Sequence, residues 1–285
     1  MEKILVLGAS GMLGNAVLRV LAGSPQLDVV GTVRSSRSVG LLPNTLGERL
    51  VSGVDVENSD TLVSLFSKVR PAVVINCIGL VKQLAESDDP LQAIPVNSVL
   101  PHRLARLCDA VGARLVHMST DCVFSGKRGM YSETDFPDAD DLYGRSKFLG
   151  EVDYPNAITL RTSIIGHERD GARSLINWFL SQEGQVKGYA RAVFSGFPTV
   201  EIARIIRDYV IPNPELHGVF NVSAEPINKF DLLTLVAEVY GKSIEIVSDD
   251  KLVIDRSLDS TRFRQATGFS PEPWPELIRR MHEFR

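Results

Sequence analysis

Along the first half of the chain, short apolar runs alternate with amphipathic segments, a pattern that predicts repeated β–α–β units around a parallel sheet. Strands are expected at Lys3–Gly8, Asp28–Val33, Arg49–Gly53, Ala72–Cys77, Arg114–Met118 and Ala157–Arg161. Helices are expected between them near Gly11–Gly23, Ser59–Val69, Pro95–Val111 and Leu142–Glu151. Runs such as Ile4-Leu-Val-Leu7 and Val73-Val-Ile75 are apolar on both alternating faces, as strands covered by helices on both sides must be. The expected architecture is α/β, with a doubly wound parallel sheet.

After about Arg161 the rhythm loosens. Helices are expected near Ser174–Glu183, Val200–Ile211 and Lys229–Tyr240, strands at Gly218–Val222 and Ser243–Val247, and a last helix after Pro271-Glu-Pro-Trp-Pro275. No linker, repeat or low-complexity tract divides the chain. The pattern therefore suggests a nucleotide-binding domain over residues 1–160 and, over 161–285, mainly a smaller substrate lobe from which some elements return to the main sheet.

Composition narrows the picture. A chain of 285 residues with 44% hydrophobic and 23% charged positions is an ordinary globular protein. A net charge of −4 without Lys/Arg-rich runs argues against nucleic acid as a partner. No apolar run approaches a membrane span, and a buried-strand pattern begins directly after Met-Glu-Lys, so a cytoplasmic protein without membrane attachment is expected. Cys77, Cys108 and Cys122 have no metal-ligand spacing. They fit free thiols, the first two as small buried residues. No HExxH, CxxC or carboxylate cluster suggests a metal.

Gly8-Ala-Ser-Gly11-Met-Leu-Gly14 follows the first strand and opens a helix. At that place Gly8, Ser10, Gly11, Met12, Leu13 and Gly14 suit a tight turn whose backbone approaches a pyrophosphate at a helix N-terminus, in the manner of Rossmann-like dinucleotide folds. The bland alternative is a plain tight turn. Enzymes using NAD place an acid at the end of the second strand, but here the strand ends in Arg34-Ser35-Ser-Arg37, while Asp28 lies at its other end. Arg34, with Ser35 and Arg37, can pair with a 2′-phosphate, so NADP, as NADPH, is preferred over NADH. Solvated loop charges are the alternative.

Tyr143 and Lys147 are four apart in a helical segment and so share a face. Thr120 ends the strand Val116-His-Met-Ser-Thr120, at the carboxyl edge where doubly wound folds bind ligands. A neighbouring ammonium favours tyrosinate, which would let Tyr143 exchange a proton with a carbonyl oxygen that Thr120 also holds.

With these motifs in place the sequence resembles the extended short-chain dehydrogenase/reductase superfamily, and within it the dTDP-4-dehydrorhamnose reductases, over nearly its whole length. The likeness rests on the glycine loop, Ser119-Thr-Asp-Cys-Val-Phe-Ser-Gly126, Tyr131-Ser-Glu133, Tyr143-Gly-Arg-Ser-Lys-Phe-Leu-Gly-Glu151, Leu160-Arg-Thr-Ser163, Gly196-Phe-Pro-Thr199, His217-Gly-Val-Phe-Asn221 and Leu258-Asp-Ser-Thr-Arg-Phe263. It implies a nucleotide-sugar ketoreductase, with NADPH reducing the 4-keto group of a nucleotide-linked 6-deoxy sugar in deoxysugar and polysaccharide precursor biosynthesis. Thr120, Tyr143 and Lys147 carry over as the catalytic trio. Asp121, Cys122, Val123 and Phe124, with Asn97, Ser163 and Phe197, carry over as substrate-binding positions, Asn97 as support for the active site. Asn76, Cys77, Ile78 and Gly79 would run along the cofactor, and Asp55 and Val56 near its adenine. A homodimer is open.

Cys122 departs from the aromatic residue usual at its place, and Phe194-Ser-Gly-Phe-Pro-Thr199 replaces a more polar stretch before the Pro-Thr, so the resemblance leaves the sugar undefined. Among other residues, His117 reads as a core histidine and His167 as part of a solvated turn. Arg161 is a structural ion-pair residue or, with Arg173, a diphosphate contact. Leu175, Trp178 and Phe179 read as lobe core. Two other readings stand beside the reductase: a nucleotide-sugar epimerase or dehydratase with tightly bound NAD, and a non-catalytic subunit like the regulatory subunit of methionine adenosyltransferase. An intact Thr/Tyr/Lys set argues against the second.

Overall fold

Alternation in the first strand decides which side of the sheet each residue serves. In β1 (Glu2–Leu7), Ile4 and Val6 enter one hydrophobic cluster while Leu5 and Leu7 enter another on the opposite face, and all four are fully buried. Each such side chain contributes roughly 1.5–3 kcal/mol on leaving water, so an unbroken apolar run is the natural sequence for a strand sandwiched by helices. The computed structural model describes residues 1–81, 85–169 and 171–285.

After β1 come α1 (Met12–Ala22), β2 (Leu27–Val33), β3 (Leu50–Ser52), α2 (Ser59–Val69) and β4 (Val73–Asn76). A helix of mixed winding follows. α3 (Pro90–Ala93) passes through a π-helical stretch at Ile94–Val99 into α4 (Leu100–Val111). The sequence pattern places the start of this helix near Pro95. Its start is instead Asp89-Pro90, where the Asp89 carboxylate accepts the Leu91 N–H at 2.9 Å and Pro90 occupies the first turn, whose N–H needs no partner. Pro95 falls inside the π-helical stretch.

β5 (Arg114–Thr120), α5 (Leu142–Leu149) and β6 (Ala157–Thr162) complete the first half. Seven parallel strands then stand in the order β11-β6-β5-β4-β1-β2-β3, β11 being Gly218–Asn221 from the second half. This is the doubly wound α/β sheet expected. Its order reverses between β1 and β4, which opens a crevice at their carboxyl ends.

The second half is built from short pieces. β7 (Ile164–Ile165), α6 (Leu175–Ser181), β8 (Gln185–Tyr189), β9 (Ala192–Phe194), β10 (Phe197–Pro198) and α7 (Thr199–Ile205) precede β11. β12 (Ile227–Asn228), α8 (Lys229–Tyr240), β13 (Glu245–Asp249), β14 (Ile254–Asp255), α9 (Thr261–Thr267) and α10 (Trp274–Glu283) follow it. Three small sheets result: β7 with β10, β8 with β13, and β9 between β12 and β14. Ile202, Ile205, Leu277 and Ile278 from α7 and α10 share one cluster with Val17 and Leu18 of α1, so later elements cover the face of the main sheet on which α1 lies. Among the described residues no helix is long and apolar enough to cross a membrane.

Candidate active site

At the crevice, the turn after β1 and the turn after β4 touch. Gly8 has φ +80°, which an L side chain rarely adopts, and a Cβ there would lie 2.8 Å from the Ile78 side chain. A Cβ on Gly14 would collide with the Gly8 carbonyl. The turn closes through the Gly11 N–H to the Gly8 carbonyl at 3.0 Å and is moored to β2 by the Ala9 N–H to the Thr32 carbonyl at 2.9 Å. Gly11 caps α1 without any side-chain bond to its first N–H groups. Bare backbone donors at a helix N-terminus, with no side chain to block approach, suit a phosphate group. Ser10, Met12 and Leu13 belong to the same turn and first helical residues.

Arg34, Ser35 and Arg37 lie exposed beyond the end of β2. Asp28, at the strand's other end, pairs with Lys3 at 3.3 Å. Asp55 and Val56 follow β3, where the Asp55 carboxylate accepts the Glu57 N–H at 3.1 Å. Cys77 donates its N–H to the Leu7 carbonyl, and Ile78 to the Asn76 side chain at 3.1 Å, so this segment leaves β4 alongside the glycine turn. Burial pushes the Cys77 and Cys108 thiols up to about 12, which keeps them unreactive.

Thr120, Tyr143 and Lys147 come together. Thr120 ends β5, buried, and its hydroxyl lies within hydrogen-bonding reach of the Tyr143 phenol. The same hydroxyl donates to Asp121 at 3.1 Å and accepts the Cys122 N–H at 3.1 Å. α5 can approach this turn because residue 144 is glycine: any Cβ there would strike the Cys122 carbonyl. Asp141 caps the helix by accepting the Gly144 N–H at 2.7 Å, fixing where Tyr143 begins its turn.

One turn on, the buried Lys147 donates to the Met118 carbonyl at 2.7 Å. Burial lowers its ammonium to about 8 against the pull of Glu151, and burial raises the Tyr143 phenol above its ordinary value, with Cys122 and Asp121 adding to the rise. Asn97, in the π-helical stretch, accepts the Leu80 N–H at 2.9 Å and donates to Ser146 at 3.1 Å. It thereby joins the turn after β4 to the helix carrying the Tyr/Lys pair.

Other positions fall elsewhere. Val123 and Phe124 are fully buried and pack with Tyr131 and Leu258 beneath the turn, Phe124 stacking on Tyr131 at 4.3 Å, so their side chains support the pocket instead of lining it. Phe197 is fully buried, edge-on to Phe269 at 5.9 Å, and offers no surface to a ligand. Ser163 is half-buried, and its carbonyl accepts the Phe197 N–H at 2.8 Å. Arg161 is an ion-pair residue, its Nη2 2.7 Å from Glu151. His117 is a buried histidine 3.1 Å from the Asn76 amide. His167 meets the Tyr240 hydroxyl at 2.8 Å, and burial lowers it to about 4. Phe179 is core, whereas Trp178 is 37% exposed.

Two cations escaped the sequence reading. Lys229 begins α8 and Arg256 follows β14, and both lie close enough to Asp121 to oppose the rise that burial imposes on its carboxyl. Only the small sheet of β12, β9 and β14 brings them there, and no local motif announces it.

A doubly wound sheet with a glycine turn after its first strand and a Thr/Tyr/Lys set at its carboxyl edge defines an extended short-chain dehydrogenase/reductase. The profile of the family described as RmlD substrate binding domain matches residues 1–283, and the chain belongs to that family. It is 32% identical over 178 residues to the probable low-salt glycan biosynthesis reductase Agl14 of Haloferax volcanii, a match spanning 61% of this chain and 57% of that protein. It is 28% identical to methionine adenosyltransferase 2 subunit beta of Danio rerio over 254 residues, covering 84% of this chain and 74% of the relative. With dTDP-4-dehydrorhamnose reductase of Aggregatibacter actinomycetemcomitans it shares 23% identity over 100% of this chain and 99% of the other. Among solved structures, dTDP-4-dehydrorhamnose reductase from Bacillus anthracis in complex with NADP superposes with a TM-score of 0.80 at 20% identity, covering 100% of this chain and 99% of that one.

Proposed function

We propose that this chain is an NADPH-dependent reductase of the 4-keto group of a nucleotide-linked 6-deoxy sugar. The observation that carries the reading is the convergence of Thr120, Tyr143 and Lys147 at the carboxyl edge of the sheet, beside the Gly8–Gly14 turn. Family membership and full-length likeness to a dTDP-4-dehydrorhamnose reductase support it.

The residues present fit the dinucleotide. Glycine at 8 and 14 keeps the turn tight where a Cβ would collide with the chain itself, the start of α1 offers bare N–H groups, and exposed Arg34 and Arg37 can pair with a 2′-phosphate. When bound, the reduced cofactor supplies the hydride. The chain's own part is proton transfer and charge. Tyr143 holds the carbonyl oxygen, with the Thr120 hydroxyl turning to it from Asp121, and gives it the phenolic proton as the carbon is reduced, and the product is the hydroxyl. The Lys147 ammonium, fixed by the Met118 carbonyl, favours the tyrosinate left behind. Residues 1–160 are assigned to cofactor binding and 161–285 mainly to the nucleotide sugar. The reading carries with it a cytoplasmic enzyme and a homodimer, the latter open to light scattering.

The test is NADPH oxidation with dTDP-, UDP-, GDP- and CDP-linked 4-keto-6-deoxy sugars. Tyr143→Phe and Lys147→Met should each lower kcat by about 10²–10⁴-fold with the fold intact by circular dichroism. Turnover at the wild-type rate in Tyr143→Phe would refute the mechanism. A wild-type chain inactive on every sugar, yet carrying a tight protein partner, would favour the subunit reading that its likeness to methionine adenosyltransferase 2 subunit beta raises.

A further inference from the structure

Beside the catalytic trio lies a cation to which the reaction above gives no task. Lys229, the first residue of α8, is half-buried, and its ammonium sits 3.8 Å from the centroid of the Phe194 ring. A ring face attracts a cation but leaves most of the directed N–H capacity of an ammonium unused. Asp121 and Cys122 are near enough for their charges to act on Lys229, yet Lys229 and Asp121 form no direct ion pair among the described residues. Asp121 is 4% exposed and is tied to Thr120 at 3.1 Å. A donor and an acceptor from opposite halves of the chain thus lie near each other without a direct bond, next to the Thr120 hydroxyl.

A sugar hydroxyl suits such a pair, since it can donate to a carboxylate and accept from an ammonium at once. A carboxylate on the sugar would satisfy Lys229 but would set two anions together at Asp121. We propose that Lys229 is a sugar-recognition residue that hydrogen-bonds a ring hydroxyl neighbouring the reacting carbon, with Asp121 accepting that hydroxyl's proton. The inference rests on the ketosugar reading. It assigns the choice among sugars to a residue of the second half held over Phe194, at the point where the chain carries an aromatic side chain in place of a more polar stretch. Burial lowers Lys229 to about 8, so the ammonium form persists at neutral pH and gains from a polar partner.

The experiment is isothermal titration of protein saturated with NADP⁺, using dTDP-rhamnose and dTDP alone as probes. Wild-type protein should bind dTDP-rhamnose more tightly than dTDP. Lys229→Met should weaken dTDP-rhamnose by about 10- to 100-fold, the range for a hydrogen bond to a charged group, and move dTDP by less than about twofold. Lys229→Arg should recover part of the loss, because a guanidinium also stacks on an aromatic ring and donates. Lys229→Gln, which keeps a donor without the charge, serves if the Met variant does not fold. Equal affinity of wild type and Lys229→Met for dTDP-rhamnose overturns the assignment while leaving the reductase reading intact. A wild-type protein that binds dTDP-rhamnose no more tightly than dTDP overturns this inference, and the ketosugar reading falls with it only if none of the four nucleotide-linked 4-keto sugars supports NADPH oxidation.

Discussion

Two carboxylates flank the Tyr143/Lys147 pair, and they are treated in opposite ways. Glu151, two residues past α5, receives two hydrogen bonds from Arg161 at 2.8 and 2.7 Å and one from Ser119 at 2.7 Å, and both ion-pair side chains are only 4% exposed. Asp121 is as deeply buried, yet Arg256 and Lys229, whose charges act on it, form no ion pair with it among the described residues, and Arg256 spends its Nε on the Phe124 carbonyl at 2.8 Å. A closed, bidentate pair holds β5, β6 and the end of α5 together. An anion whose neighbouring cations stop short of a direct pair keeps hydrogen-bonding capacity for something that arrives. The first is architecture, and the second is where the site can still make contacts.

Breaking the closed pair should have the largest effect on stability. Arg161→Met leaves Glu151 buried without its countercharge and should lower unfolding free energy by about 3–5 kcal/mol, read as a shift in urea midpoint. Burial of one Arg161 nitrogen without a partner already shows how little water reaches this point. A loss below about 1 kcal/mol would mean the pair behaves as a surface ion pair and the contrast with Asp121 fails.

Legibility of the sequence follows the same division. In the main sheet every expected strand is present, because each strand's alternate residues feed two helical layers and the apolar runs are unmistakable. The placement of Thr120, Tyr143 and Lys147 could be read because a strand end and one helical turn are local features. Phe124 and Phe197 misled because a large apolar residue next to a motif looks the same whether it faces a ligand or the core. Lys229 was invisible for a different reason. β12 is two residues long and pairs across to β9, and α8 begins where that pairing ends, so the placement of Lys229 is a product of long-range pairing. Similarly, β13 was expected at Ser243–Val247 but spans Glu245–Asp249, since its register is set by β8, Gln185-Val-Lys-Gly-Tyr189, whose half-polar sequence gives little strand signal of its own.

Between the two carboxylates, Lys147 supplies a pH-dependent sharpening of the comparison. With its ammonium lowered to about 8, the cation to which the proposed mechanism gives the task of favouring tyrosinate is present below that pH and lost above it. Reductase kcat/KM should therefore hold through neutral pH and fall by up to about tenfold per unit above about pH 8. Lys147→Arg, which stays charged, should be slower but flat across the same range. A wild-type profile still level near pH 10 would show that Lys147 is held protonated more firmly than its burial implies, with Glu151 as the cause.

The smallest effect belongs to Asp121. Burial raises its carboxyl above the ordinary value, against the pull first of Arg256 and more weakly of Lys229. An acid that binds its proton more readily in the folded state makes folding less favourable once it is ionised. That cost is present at neutral pH and disappears as pH falls below the ordinary carboxylate value of about 4. Asp121→Asn keeps an oxygen to accept from Thr120 while removing the charge. It should therefore be as stable as wild type, or more stable by up to about 1 kcal/mol, at pH 7, with the difference shrinking on acidification. Glu151→Gln, with its bidentate cation abandoned, should move the other way. If both variants were destabilised alike at pH 7, the two carboxylates would be serving the same structural purpose, and Asp121 would have no capacity left over for a sugar hydroxyl.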